Sequence, residues 1–197
     1  MVRRTTEERQ AQIKKAILDI IASEGLHALS TRNVARRVGV SEGALFRHFP
    51  SKLAMIEAII ADVKKDLLTA LKAVTLRNLP PADKLFQFLC THVTYLLQNR
   101  GITIFLFSEA AYLNDQHLKK QLRDILLQQK QLVSKIIQDG IVEGIWDPEL
   151  SAENVALLYM GIPITLSIEM VLDPEGVNTE NFCRKMFSLL IKVLKRD

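Results

Sequence analysis

The sequence predicts an all-α fold in two parts: an N-terminal three-helix domain built around a helix-turn-helix, joined by a long helix to a larger helical domain. Three observations lead there. Of 197 residues, 48% are apolar while only 8 are glycine and 6 proline, a composition that favours long helices over strands and turns. Apolar side chains recur at three- and four-residue spacing along nearly the whole chain, and no stretch alternates as a strand would. Serine or threonine stands just before several of these runs, where a helix start needs a side-chain acceptor.

Thr5 or Thr6 caps the first helix, Glu7 and Glu8 favour its positive end, and Ile13, Ile17, Ile20 and Ile21 form its stripe until Gly25. Ser30 or Thr31 caps a second segment, Arg32 to Val38, whose small apolar face is Val34, Ala35 and Val38. Gly39, Val40 and Ser41 lead tightly into a third, Glu42 to His48, anchored by Leu45 and Phe49. Pro50 interrupts, Ser51 caps again, and Leu53, Met55, Ile56, Ile59, Ile60, Val63 and Leu67 carry a linking helix over 51–74. This places the first domain at 1–52 and the second at 53–197.

Leu79-Pro80-Pro81 is the clearest linker, and Ala82 opens a helix that ends at Asn99-Arg100-Gly101. Further helices are expected over 102–113 and 115–137, with Gly140 and Gly144 loosening the end of the second. Trp146-Asp147-Pro148 turns the chain, Ser151 caps a helix to Leu172, and a last one runs over 179–195. That last helix carries two stripes, Phe182, Met186, Leu189 and Val193 on one side and Phe187, Ile191 and Leu194 on another. One subunit's core accounts for one stripe, so a homodimer through the last two helices is expected.

Up to Lys52 there are ten Lys/Arg against five Asp/Glu, and beyond it sixteen against seventeen, so the net charge of +4 resides in the first quarter. A small basic block suits phosphate binding, and equally a solvated helix face. Cys90 and Cys183 lie far apart in apolar stretches, which fits buried thiols in a reducing compartment rather than a disulfide framework. The N-terminus has no apolar signal core, and the most apolar stretch, 155–172, is interrupted by Gly161, Pro163 and Glu169. A cytoplasmic protein without a membrane partner is expected.

From Ser30 to Lys52 the chain reads STRNVARRVGVSEGALFRHFPSK, and this segment resembles the TetR family of bacterial regulators. That family opens a short helix with Thr, then shows an Ile/Val-Ala pair, a Gly-Val-Ser turn, a Leu-Tyr pair, an aromatic or His before Phe, and a Lys shortly after. Nearly every element stands here in order. The resemblance implies a long fourth helix, a dimerising helical domain, and a small effector whose binding changes the separation of the two recognition helices. Phe46 departs from the pattern, because the family usually has a Tyr there whose hydroxyl touches phosphate.

Physical reasoning assigns roles along the same segment. The major groove is ~12 Å wide, so a recognition helix needs a slender leading end, which Glu42, Gly43 and Ala44 provide. Thr31, Arg32 and Ser41 offer donors to phosphate, and Lys52 a point charge. Arg47 and His48 are placed to read bases, Arg47 being the better match to guanine. Phe46 is left to pack on sugar or a thymine methyl, and Arg36 and Arg37 are expected to be solvated. The partner so implied is a double-stranded, (pseudo)palindromic DNA operator.

Phe86, Leu89, Phe105, Tyr112, Leu126, Trp146, Tyr159, Met160 and Pro163 are the expected lining of a ligand pocket, with Phe88 and Phe107 beside them, pointing to an apolar effector. Pro163 leaves a helix carbonyl unpaired, which suits the edge of a cavity. His92, His117, Glu109 and Glu169 are the polar groups available to orient a ligand. No Ser/His/Asp order, metal-ligand spacing or Gly-rich phosphate loop occurs, so neither enzyme, metal nor cofactor is expected. The alternative function is a regulator or architectural DNA-binding protein that has no small ligand.

Overall fold

The computed structural model describes residues 5–173, 175–176 and 181–195. Among them are nine α-helices and one 3-10 turn, Leu26–Ala28, with no strand. The N-terminal domain holds α1 (Thr6–Glu24), α2 (Thr31–Val38) and α3 (Glu42–Phe46), and α4 (Lys52–Thr75) leaves it. The larger domain comprises α5 (Pro81–Gln98), α6 (Ile102–Leu113), α7 (Gln116–Val142), α8 (Ala152–Leu172) and α9 (Phe182–Leu194). The expected start of the last helix, 179–181, falls partly outside the described residues.

Local chemistry accounts for most boundaries. Thr5 and Glu8 form a reciprocal capping box on α1. Ser30, Ser41, Ser51, Asp115 and Ser151 each accept a backbone N–H three residues on, and so begin α2, α3, α4, α7 and α8. Pro81 opens α5, where its missing N–H costs nothing.

The end of α7 departs from expectation. α7 runs on through Gly140 to Val142, because the chain reverses at Gly144 and lays the buried Trp146 ring on Gly140, where any Cβ would collide with it. α8 is unbroken from Ala152 to Leu172 despite Gly161 and Pro163. By length and composition alone α8 could cross a membrane, at mean hydropathy 1.9. Here it packs along α7 and against α6, with its other side exposed.

One continuous apolar core spans both parts. Ile13, Ile17, Ile20, Leu45 and Phe49 close the head, Met55, Ile56, Ile59 and Ile60 of α4 continue it, and Leu71, Leu85, Leu89 and Ile136 fill the larger domain. α4 belongs to both, so the head cannot tilt without moving it.

Candidate functional site

The helix-turn-helix is set by its turn. Gly39 adopts φ 75° and ψ 39°, a left-handed conformation that costs glycine little. Its N–H donates to the Arg36 carbonyl and that of Val40 to the Ala35 carbonyl, which ends α2 and swings the chain into α3. Leu45, fully buried, and Phe49 hold α3 on the core. Ser41, Glu42, Gly43, Phe46 and Arg47 are consequently exposed on the outer side, with Ala44 and His48 half-buried. No atom of the chain lies near a Cβ built on Gly43, so nothing inside the fold requires a glycine there.

α3 is shorter than the expected 42–48. Arg47 closes it, and the Gln10 amide donates to the His48 carbonyl at 2.9 Å. Pro50 adds to this, since it disfavours helical backbone at the residue before it.

Three basic or polar side chains are less free than their positions suggest. The Thr31 hydroxyl donates to Glu42 Oε2 at 2.9 Å, tying the first turn of α2 to that of α3 and using its proton. Lys52 Nζ lies 2.7 Å from Glu109 Oε1 on α6. Arg37 pairs with Glu24 of α1 rather than standing solvated alone. Arg32, Arg36 and Arg47 are exposed.

A second site lies in the larger domain. An apolar cavity of about 60 Å³ is enclosed by α4, α5, α6, α7 and α8, with Val63, Leu67, Leu106, Phe107, Met160 and Pro163 among its walls. Its polar groups are His92, Tyr95, Thr103 and Gln129. Burial lowers His92 to about 4, so it is neutral at pH 7, and its buried Nδ1 has no partner among the described residues. Tyr159 stands behind it, with ring centroids 6.4 Å from His92 and 5.7 Å from Phe88, and its buried hydroxyl is likewise unpartnered.

Of the expected residues, Phe107, Leu126, Met160 and Pro163 face this cavity, as does His92 among the expected polar groups. The others are elsewhere, for identifiable reasons. Tyr112 is 85% exposed on the far side of α6. Trp146 seals the end of α7, and Phe86 stacks edge-on against Phe187 of α9. Leu89 and Tyr159 are plain core, and Phe105 points the opposite way, into a small gap bounded by Ile17, Leu29, Val34 and Met55 of the head and α4.

Residues 13–59 match the family model of bacterial regulatory proteins of the tetR family, a span that runs from α1 through the helix-turn-helix into α4. The N-terminal domain of this chain is that of the TetR family. The whole chain has the matching fold. A regulatory protein of that family from Rhodococcus RHA1 superposes at TM-score 0.78 with 21% identity, covering 96% of this chain and 98% of that one. The ketosteroid transcriptional regulator KstR2 of Mycobacterium tuberculosis gives 0.79 at 19% identity, over 100% and 98%. In sequence, the nucleoid occlusion factor SlmA of Actinobacillus pleuropneumoniae serotype 5b (strain L20) is 33% identical over 120 residues, 60% of this chain and 59% of that protein. The chain therefore carries that family's sequence pattern over residues 13–59 and shares the fold of these regulators along its length.

Gln129, Val63 and Leu67 line the cavity without having been among the expected residues. The cavity of this TetR-type fold is walled mainly by ordinary aliphatic side chains from five helices, which only their convergence marks as a site.

Proposed function

We propose that the chain is a cytoplasmic, dimeric transcriptional repressor that binds a (pseudo)palindromic operator and is released by a small apolar effector. The observation that carries this reading is the position of α6. Phe105 and Glu109 of α6 meet the head and α4, while Ile102, Thr103, Leu106 and Phe107 line the cavity. A molecule that enlarges the cavity pushes on the helix that touches the head. Half-sites must lie ~34 Å apart or at multiples of that, so a modest rotation of each head removes the fit.

In the role proposed for the head, Arg32, Ser41 and Lys52 hold phosphate, with Thr31 setting the α2–α3 geometry, and Gly43, Ala44, Arg47 and His48 approach bases. Glu42 accepts from a cytosine amine, and exposed Phe46 packs on sugar or thymine methyl. Dimerisation is supported by the apolar side chains left exposed on α8 and α9, among them Leu157, Leu158, Val171, Leu172, Leu189 and Val193. Exposed apolar side chains gathered on two helices offer a surface for a partner to cover.

The effector proposed is uncharged, because neutral His92 and Gln129 offer hydrogen bonds and no ion-pair partner lines the cavity. At about 60 Å³ the space is far below the ~300–1,000 Å³ of occupied ligand sites, so binding must displace flexible Met160 and Phe107. A second reading is favoured by the resemblance to SlmA: a DNA-bound factor with no small ligand. Mapping binding sites across the source genome separates the two. Sites confined to a few promoters, with release by an apolar compound made or exported by the neighbouring genes' products, support the first. Many dispersed sites and no releasing compound support the second.

A further inference from the structure

The two cysteines, distant in sequence, occupy facing positions on packed helices. Phe86 of α5 stacks against Phe187 of α9, with ring centroids 5.2 Å apart. Four residues on from Phe86 is Cys90, and four residues back from Phe187 is Cys183, so antiparallel packing brings the next turn of each helix together at the two thiols. Cys183 is the neighbouring group that acts on the Cys90 thiol, beside its burial. Both are half-buried rather than sealed, and Cys90 also borders an open groove lined by Asp66, Arg77, Gln87, Thr91 and Asn99. Small solutes reach it from that side.

We propose that Cys90 and Cys183 are a dithiol modification site that a peroxide converts to an intramolecular disulfide, covalently fixing α9 on α5. One thiol reduces the peroxide ROOH to ROH and becomes a sulfenic acid. The second thiol then attacks that sulfur, the S–S bond forms, the S–O bond breaks and water leaves. Two thiols have given up two electrons and two protons, and the peroxide has become alcohol and water. Burial pushes Cys90 up to about 12, so Cys90 itself rests as the thiol at neutral pH and its oxidation is slow.

The consequence is structural. α9 carries the exposed Leu189 and Val193 on a side away from α5, while Cys183, Leu190 and Leu194 face inward, so the disulfide fastens the helix without covering its outer face. A cross-link closing so long a loop stabilises the domain chiefly by restricting the unfolded chain.

The test treats the reduced full-length protein with hydrogen peroxide, blocks remaining thiols, and maps the peptides by mass spectrometry. The expected result is one Cys90–Cys183 cross-linked peptide in a chain that runs as a monomer on a denaturing gel without reductant. A rise in Tm of several degrees, reversed by dithiothreitol, accompanies it. Cys90→Ser and Cys183→Ser each abolish that rise. Two thiols that both remain open to alkylation, separate sulfinic acids, or disulfides between chains would overturn the proposal, and the wild-type peptide map decides even if a variant folds poorly.

Discussion

Lys52 and Glu109 join the first turn of α4 to α6 through a 2.7 Å ion pair at Oε1, and Glu109 Oε2 is buried with no partner among the described residues. The lysine proposed to meet phosphate is thus held by a carboxylate of the larger domain. On this account DNA and Glu109 compete for one ammonium group. Lys52→Ala should weaken binding to all duplexes alike and lower the salt slope by ~1. Glu109→Gln should tighten binding several-fold at low salt, an effect absent when Lys52 is also alanine. Fluorescence anisotropy titrations at several salt concentrations check both.

Arg47 is exposed at the end of α3 and its side chain makes no hydrogen bond among the described residues, so its guanidinium is free for a base edge. Replacing it with alanine should cost ~1–3 kcal/mol on the preferred operator and relax discrimination at one base pair per half-site. Competition with single-substituted operators measures this. Equal losses on operator and random DNA would assign Arg47 to phosphate instead.

His92 gives the fold a pH dependence of known sign. Its value falls from 6.5 to about 4 through burial, so between these limits the unfolded chain binds a proton that the folded chain does not. Its contribution is fully present above pH 6.5 and is lost progressively as pH falls toward 4, by about 3 kcal/mol in all. His92→Leu should flatten that part of the stability profile in urea titrations. A variant with an unchanged profile would place the dependence in other groups.

Leu189 is 54% exposed and Val193 45%, both on the outer face of α9. Leu189→Lys combined with Val193→Asp should yield a folded monomer by sedimentation, with unchanged helix content and much weaker operator binding. Retained dimers would move the interface off α9.

Sequence reasoning found the elements that local chemistry determines. Ser30, Gly39, Ser41 and Ser51 place α2, the turn, α3 and α4 through caps and one left-handed residue, each written in a few adjacent positions. What it missed depends on where distant segments meet. Tyr112 reads as a pocket residue by type but is turned outward by its place on α6, and Trp146 reverses onto Gly140 through a turn at Gly144. Pairing of Lys52 with Glu109 and of Cys90 with Cys183 likewise arises only from helix packing. Both cysteines are half-buried, where buried thiols outside any disulfide framework were expected.

The most direct measurement of the central claim is selection of bound duplexes from a random pool by the full-length protein, followed by sequencing. The account predicts an enriched palindrome whose half-sites lie on one face of the DNA, and loss of one half-site position's preference with Arg47→Ala. Enrichment of no sequence, or of an unrepeated site bound by a single chain, would contradict it.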